Sequence, residues 1–177
     1  MKVTLDHRCI VQLADRTEAG ARLGKLVSNG AMRCFVVNIG AARMRRRGAR
    51  PEHYGRFEEL LAAAGCGHLP RLDPMFIVDL TFWGKCVSAG DEDVRLARDI
   101  GAALFGEAPG VDIPDDGLDS PAGRKWIDRH CDVQTMWTHI RSRNDVYVTT
   151  EESFLMESRR PRLSALGVGR ICLPGEV

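Results

Sequence analysis

The sequence predicts an α/β fold with three layers, α/β/α, around a mainly parallel central sheet. Two observations support this prediction: strand-like runs alternate with helical segments along the chain, and residues 32–40 (MRCFVVNIG) form a continuous apolar run bounded by glycines. Alternation of strands and helices is typical of a parallel sheet covered on both faces. A continuous apolar run is typical of a strand buried within such a sheet.

Local patterns predict the elements of the first half. Residues 2–6 (KVTLD) form a predicted strand that ends at Asp6, and the following CIVQLADR begins a helix or a turn. Residues 17–29 carry apolar side chains at helical spacing. An arginine-rich loop follows the apolar strand. Residues 53–67 (HYGRFEELLAAAGCG) then form a predicted helix with one apolar face and glycines at its end.

The second half continues the alternation after an ambiguous stretch at 72–86. A loop rich in proline, glycine and aspartate, around 107–123, is predicted to be an insertion within a single domain that spans residues 1–177. The elements predicted around it are helices at 91–106, 124–143 and 151–167, and strands at 145–150 and from residue 169. The first of these helices opens with an acidic turn, which the positive end of the helix dipole stabilises.

Length and composition are those of an ordinary globular domain. The chain has 177 residues, of which 44% are hydrophobic and 28% charged, and its net charge is +1. This balance excludes a global field that would draw the whole chain to nucleic acid. No apolar run approaches the roughly 18 residues of a membrane span, and the start of the chain lacks the apolar core of a signal peptide. We therefore expect no membrane contact and a mature chain that begins at Met1.

The six cysteines and three tryptophans are predicted to be core or helix-packing residues. The cysteines lie far apart, with no CxxC pair and no zinc-type spacing with histidine. Scattered single cysteines are typical of small buried side chains in a reducing compartment. A cytoplasmic location is the corresponding expectation.

Acidic side chains stand near the ends of predicted strands. Asp6 ends the first strand, Asp132 lies on the helix before strand 145–150, and Glu151 follows that strand. Asp128 lies one helical turn before Asp132 on the same face. Ligand sites in α/β sheets form beyond the carboxyl ends of strands, so these carboxylates are predicted to meet there. Such a cluster repels itself unless it holds a hard cation such as Mg²⁺ or Mn²⁺.

Four segments resemble the PIN-like ribonuclease domains. They are the opening strand with its aspartate (VTLDHRCI), a helix with an early aspartate (CDVQTMWTHI), a strand ending in threonine and acidic residues (DVYVTTEESFL), and a closing turn and strand with Pro-x-Glu (ALGVGRICLPGEV). The resemblance runs from residue 3 to residue 176, and residues 40–125 match mainly in the order of their elements. The order and spacing of the segments carry the likeness.

The resemblance implies a PIN-like fold and a metal-dependent endoribonuclease that hydrolyses RNA phosphodiester bonds with Mg²⁺ or Mn²⁺. Asp6, Asp132 and Glu151 would be catalytic residues and metal ligands, and Asp128 is a further candidate ligand. RNA is the implied substrate. An antitoxin or another protein is a possible partner for a domain of this family, and a homodimer is its plausible assembly.

Two further residues are expected to support the ligands. The resemblance implies that the Thr149 hydroxyl bonds a ligand carboxylate. It also implies that Asp145 caps or orients the turn beside the site, which is more plausible for this residue than direct metal binding.

One position departs from the family pattern at the expected metal site. Where the family has its second acidic residue, this sequence reads NIGAARMRRR and places Arg43. An arginine would repel the cation, so the site is either rebuilt or weakened. Glu52, Glu58 or Glu59 could supply the missing carboxylate. The His-Arg pair after the first aspartate also replaces the usual small polar residues.

A cluster of arginines follows the apolar strand. Arg43, Arg45, Arg46 and Arg47 are predicted to bind RNA phosphates, and Arg50 extends the cluster. A solvated loop is the alternative interpretation of the same residues.

Several alternatives stay open. The chain could be a catalytically weakened or inactive PIN-like module that binds nucleic acid or a protein, or another α/β enzyme such as a phosphatase-like fold built around an aspartate. Thr150 could cap the next helix, with Glu151 and Glu152 in its first turn, which competes with metal binding by Glu151. His139 could be a general base, although a histidine on a helix is more often structural.

Overall fold

The structure is a computed structural model in which residues 1–28, 30, 32–44 and 51–177 are described. The strands are β1 (Lys2–Leu5), β2 (Arg33–Val37), β3 (Arg71–Leu72), β4 (Val146–Val148) and β5 (Arg170–Cys172). The helices are α1 (His7–Ala14), α2 (Glu18–Ser28), α3 (Pro51–Ala63), α4 (Asp91–Phe105), α5 (Pro121–Arg141), α6 (Glu152–Leu155) and α7 (Arg160–Ala165), and a 3-10 helix, η1 (Asn38–Met44), follows β2.

The strands form one sheet in the order β3-β2-β1-β4-β5, and every neighbouring pair is parallel. The predicted α/β class with a parallel sheet is therefore confirmed. In the central strand, Leu5 stands opposite both Val36 and Val148, so β1 and β4 end level with each other. The Asp6 N–H continues this pairing by donating to the Val148 carbonyl at 3.0 Å. The residues that follow the two strands consequently lie side by side.

Apolar clusters pack against alternate side chains of the central strands. Val3 and Leu5 belong to a cluster that includes Phe57 and Leu61 of α3 and residues of α1 and α2. Tyr147 of β4 belongs to a second cluster with residues of α4, α5 and α7. Side chains alternate along a strand, so successive residues of the sheet contact different groups of helices.

Local signals define the ends of the two long helices. α4 ends at Gly106, whose φ of 84° is a left-handed conformation that glycine adopts without a Cβ clash. α5 follows Ser120, whose Oγ accepts from the Gly123 N–H at 2.9 Å, and Pro121 lies in its first turn. The loop predicted around 107–123 therefore ends at Ser120, where the cap of α5 begins.

The strand predicted over 32–40 is shorter than expected, because its polar end turns into η1. β2 stops at Val37, and the next residue, Asn38, is buried. The Asn38 amide donates to Asp73 Oδ1 at 2.6 Å, and its carbonyl oxygen accepts from Tyr54 OH at 2.8 Å. These partners satisfy the buried amide at the point where the chain turns away from the sheet. The turn carries Arg43 toward α5.

The helix predicted over 151–167 is two short helices. α6 ends at Met156, whose backbone is extended with φ −61° and ψ 129°. Pro161 lies in the first turn of α7. Proline has no N–H and clashes with a preceding helical turn, so it begins a helix more readily than it continues one.

Most of the cysteines and tryptophans that were predicted to lie in the core are buried. Trp126 and Trp137 are buried, and all six cysteines are free thiols, five of them buried. The prediction was wrong for Trp83, which is 91% exposed. Among the described helices, none has the length and apolar character needed to cross a membrane.

Two glycines of α2 offer a matched test of how closely α1 and α2 pack. A Cβ at Gly20 would lie 2.1 Å from the Gln12 carbonyl oxygen, whereas a Cβ at Gly24 would meet only Leu13 Cδ2 at 3.8 Å. We expect Gly20→Ala to lower the free energy of unfolding by about 1–3 kcal/mol, because backbone atoms must move apart. Gly24→Ala should raise it by about 0.5–1 kcal/mol through helix propensity. Urea denaturation measures both, and effects of the same sign would contradict the close contact.

Candidate functional site

Asp6 is held at the carboxyl end of β1 by two hydrogen bonds. Its Oδ1 caps α1 by accepting from the His7 N–H at 2.7 Å, and its Oδ2 accepts from Thr149 Oγ1 at 2.8 Å. Thr149 is the residue after β4 and is fully buried. Two donors and the positive end of α1 stabilise a carboxylate that is only 3% exposed.

The Thr149 hydroxyl connects this carboxylate to the segment that carries Glu151. It accepts from the Glu151 N–H at 2.9 Å, and the Glu151 carboxylate pairs with Arg8 at 2.5 Å. Glu151 occupies the N-cap position of α6, so the alternative in which Thr150 caps that helix is wrong. The Thr150 hydroxyl instead accepts from Gln12 Nε2 at 3.3 Å.

Arg43 joins the two aspartates of α5. Its Nη1 lies 3.1 Å from Asp128 Oδ1, and its Nη2 contacts Asp132 Oδ1. Nη2 also lies 3.5 Å from the Asp128 carbonyl oxygen. The side chains of Arg43 and Asp132 are 15% and 14% exposed, whereas that of Asp128 is 61% exposed. Arg43 and Asp132 thus form a nearly buried ion pair that Asp128 supports from the solvent side.

Burial and neighbouring charge determine the protonation of this pair. Burial raises the pKa of Asp132 against the opposing effect of Arg43, and together with the neighbouring carboxylates it brings this pKa to about 7. Ionisation of Asp132 at neutral pH therefore depends on the guanidinium beside it. Burial disfavours the charge on Arg43, but Cys131 and the surrounding carboxylates keep the pKa of Arg43 above its ordinary value. Arg43 is consequently a permanent positive charge among the acidic residues.

An open cleft of about 670 Å³ lies over these side chains. Phe105 and Pro121 contribute apolar surface to it, and its charged lining contains more basic than acidic residues. The basic residues are Arg8, Arg43, Arg124, Lys125, Arg129 and Arg159, and the acidic residues are Asp128, Asp132 and Glu151. Four-residue spacing along α5 places one face of that helix in the cleft. The cleft therefore has an acidic floor and a basic rim.

The arrangement of the described residues does not fit the divalent metal that the resemblance implies. Carboxylate oxygens are suitable ligands for Mg²⁺ or Mn²⁺ in kind. Within the described part of the chain, however, no three His, Cys, Asp or Glu side chains converge to hold a metal ion. Arg43 contacts Asp132 and Asp128, and Arg8 contacts Glu151. Arginines thus take the positions from which a cation would neutralise these carboxylates.

Other predicted site residues lie elsewhere. Asp145 precedes β4 at the opposite edge of the sheet, where its Oδ2 accepts from the Lys2 N–H at 2.7 Å. Glu58 pairs with Arg71 at 3.0 Å, so it does not replace the missing carboxylate of the cleft. Glu52 and Glu59 are exposed and do not line the cleft. The remaining predicted RNA-binding residues, Arg45, Arg46 and Arg47, together with Arg50, lie outside the described residues.

His139 is a buried structural residue. Its Nδ1 lies within hydrogen-bond distance of Thr4 Oγ1, at 2.9 Å, and Thr4 Oγ1 accepts from Asn144 Nδ2 at 2.8 Å. Its ring meets Tyr147 edge-on, with centroids 5.5 Å apart. Thr4 lies within β1, so His139 packs against the body of the sheet and does not line the cleft. Its position supports the structural interpretation over the general base.

Most of the basic rim was not predicted from the sequence. Arg124, Lys125 and Arg129 lie on α5, and Arg159 lies between α6 and α7, whereas the predicted RNA-binding arginines follow β2. A signal was present for α5, because the segment RKWIDRHCD repeats charged side chains at four-residue spacing. Arg159 carried no such signal, since its position depends on the break between two short helices.

The buried His139 predicts a dependence of stability on pH. Burial lowers the pKa of His139 from 6.5 to about 4, while Asp145 opposes this shift. The unfolded chain therefore takes up this proton first as the pH falls, so the stability that depends on neutral His139 is complete above pH 6.5 and is lost between pH 6.5 and 4. A pKa shift of this size corresponds to about 3 kcal/mol in the free energy of unfolding.

Urea denaturation at a series of pH values checks this dependence. His139→Gln should flatten the slope, although not abolish it, because burial also lowers the pKa of His7 to about 4. His68→Gln, at an exposed position, should leave the slope unchanged. Equal slopes in wild type and His139→Gln would show that His139 is not the group responsible.

Comparison with known proteins does not identify a family. The chain matches no family model, no curated protein and no solved structure. The resemblance to PIN-like domains consequently stays a prediction, and function is inferred from the cleft and its charges.

Proposed function

We propose that this protein is a PIN-like domain of three layers that binds RNA through the phosphate backbone and does not cleave it. The observation that carries the proposal is the basic rim of the 670 Å³ cleft over a carboxylate floor already paired with arginines. The cleft lies beside the carboxyl ends of β1 and β4, the edge at which α/β sheets bind ligands. Phosphate neutralisation by lysine and arginine supplies most of the affinity in non-specific nucleic-acid binding.

The rim has charges available for phosphates. Arg124 donates to the Asp119 carbonyl at 3.0 Å, and Arg159 donates to the Ser153 carbonyl at 3.0 Å. A backbone oxygen orients a guanidinium without cancelling its charge. Lys125 is exposed beside Arg124 on the same face of α5. These side chains can approach a phosphate without breaking the ion pairs of the floor.

Phe105 offers a surface for a base. The Arg129 guanidinium lies over the Phe105 ring, 5.0 Å from its centroid, and both residues line the cleft. Unpaired bases stack on aromatic rings and on arginine planes, whereas the bases of a duplex are already stacked on one another. This platform favours single-stranded RNA as the ligand.

A metal-dependent endoribonuclease is the second candidate function. Asp6, Asp132 and Glu151 come from three elements to one edge of the sheet, and Asp6 and Glu151 both raise the pKa of Asp132. Their grouping favours hydrolysis of phosphodiester bonds. Pairing of Asp132 with Arg43 favours RNA binding without cleavage, because Asp132 Oδ1 is already paired with the guanidinium.

Other expectations also stay predictions. Arg45, Arg46 and Arg47 follow Arg43 in the sequence and are candidates for further phosphate contacts. An antitoxin or other protein partner, a homodimer and a cytoplasmic location remain proposals that the cleft neither requires nor opposes.

Removing charge from the rim should weaken RNA binding. The double variant Arg124→Gln/Lys125→Gln removes two positive charges and leaves the ion pairs of the floor intact. We expect the slope of log K against log salt for single-stranded RNA to fall by about 0.7 for each charge removed. Fluorescence anisotropy of a labelled RNA in EDTA measures this slope.

The matched control for that titration is Arg95→Gln, an exposed position on α4 outside the cleft. It should leave the slope unchanged. An unchanged slope in the double variant, or the same loss in the control, would place RNA outside the cleft. Single-stranded DNA of the same sequence, added in parallel, tests whether binding is restricted to RNA.

A mixed RNA pool separates binding from cleavage. With Mn²⁺ we expect the RNA pool to stay intact, because Asp132 is paired with Arg43 and is not available to a metal ion. Electrophoresis of the incubated RNA is the measurement. Cleavage that requires Mn²⁺ and disappears both in EDTA and in Asp132→Asn would establish the endoribonuclease in place of the binding module.

A further inference from the structure

Arg43 lies among the acidic side chains, at a position where a divalent cation could neutralise them. Its guanidinium enters from η1 and contacts two aspartates on successive turns of α5. We propose that Arg43 is a built-in replacement for a divalent metal ion, so that the acidic centre keeps its arrangement without metal and does not bind one.

The contacts make Arg43 and a metal mutually exclusive. Nη2 contacts Asp132 Oδ1, and Nη1 lies 3.1 Å from Asp128 Oδ1. A planar guanidinium presents fixed donors that match carboxylate oxygens, and these charge-assisted hydrogen bonds are among the stronger ones in proteins. A divalent ion bound through Asp132 would lie beside the guanidinium and would be repelled by its charge. Metal binding therefore requires Arg43 to leave.

The backbone that carries Arg43 is tightly packed. All residues of η1 from Asn38 to Ala42 are buried. A Cβ added at Gly40 would lie 2.6 Å from the Phe57 ring and 3.0 Å from His7 Nδ1, so the chain passes close to α3 and α1 at this point. Withdrawal of the guanidinium would leave the nearly buried Asp132 without its partner. Both the backbone and the charge hold Arg43 in place.

The other two carboxylates have hydrogen-bond or ion-pair partners of their own. Asp6 accepts from the Thr149 hydroxyl and the His7 N–H at the positive end of α1. Glu151 pairs with Arg8. The mutual repulsion that would otherwise call for a cation is thus offset by groups of the chain itself.

Direct titration with Mn²⁺ tests the inference without RNA. Electron paramagnetic resonance measures free Mn²⁺ in the presence of wild type, Arg43→Glu and Arg43→Gln. We expect wild type to bind Mn²⁺ at least about tenfold more weakly than Arg43→Glu, a difference equivalent to about 1.4 kcal/mol, and to show no binding at concentrations that saturate the variant. The glutamate supplies a further carboxylate in place of the repelling charge. Circular dichroism verifies the fold of each variant.

Arg43→Gln covers the case in which the glutamate variant does not fold. Its amide can still donate to Asp132, while the positive charge is gone, so it should also bind Mn²⁺ more tightly than wild type. Thermal unfolding gives a second readout, since Mn²⁺ should raise the Tm of both Arg43 variants and leave that of wild type unchanged.

The control Arg95→Gln removes one positive charge from α4 and should behave as wild type. Three results would overturn the inference: wild type binding Mn²⁺ as tightly as the Arg43 variants, folded Arg43 variants that bind none, or an equal gain in the control. Because no RNA is present, loss of RNA binding in the earlier titration would leave this inference intact. Failure of this inference would leave phosphate binding by the rim intact and would remove only the argument against cleavage.

Discussion

The nearly buried ion pair between Arg43 and Asp132 is the interaction on which the floor of the cleft depends. It joins the 3-10 helix that follows β2 to the middle of α5, two elements that approach each other at the carboxyl edge of the sheet. Removing one member of a buried ion pair costs about 3–5 kcal/mol, because the remaining charge stays desolvated. The pair therefore links η1 to α5 and supports the ionisation of Asp132.

A second constraint comes from the register of the parallel strands. Because β1 and β4 end level, Asp6 and Thr149 are neighbours, and one hydroxyl serves two residues. Thr149 Oγ1 donates to Asp6 and accepts from the Glu151 N–H, so the end of β1, the end of β4 and the start of α6 share one hydrogen-bonded group. A side chain that acts as donor and acceptor at once can link a carboxylate to a backbone amide without an added charge.

The elements that the sequence predicted well carry their signals locally. α4 has an acidic first turn and Gly106 at its end, and β2 has a continuous apolar run. The proximity of the residues after β1 and β4 followed from the general rule that parallel strands end at one edge. Contacts between distant residues had no such signal. Arg43 and Asp132 are 89 positions apart. Their pairing depends on where η1 begins, and it begins at the buried Asn38, whose amide bonds Asp73. The break before Pro161 likewise redirected the chain and brought Arg159 to the cleft.

The division of arginines between two tasks explains how one cleft can hold acidic and basic side chains together. Arg43 and Arg8 pair with carboxylates, so their charge is largely neutralised within the protein. A phosphate that approached Asp132 directly would meet repulsion from the carboxylate, and Arg43 reduces this repulsion without leaving its partner. The attraction must then come from side chains that do not hold the floor, such as Arg124 and Arg159, which donate to backbone carbonyls. In the proposed binding of RNA, the two groups of arginines would have different tasks: Arg43 would reduce the repulsion between the acidic floor and a polyanion, and the arginines of the rim would hold the polyanion.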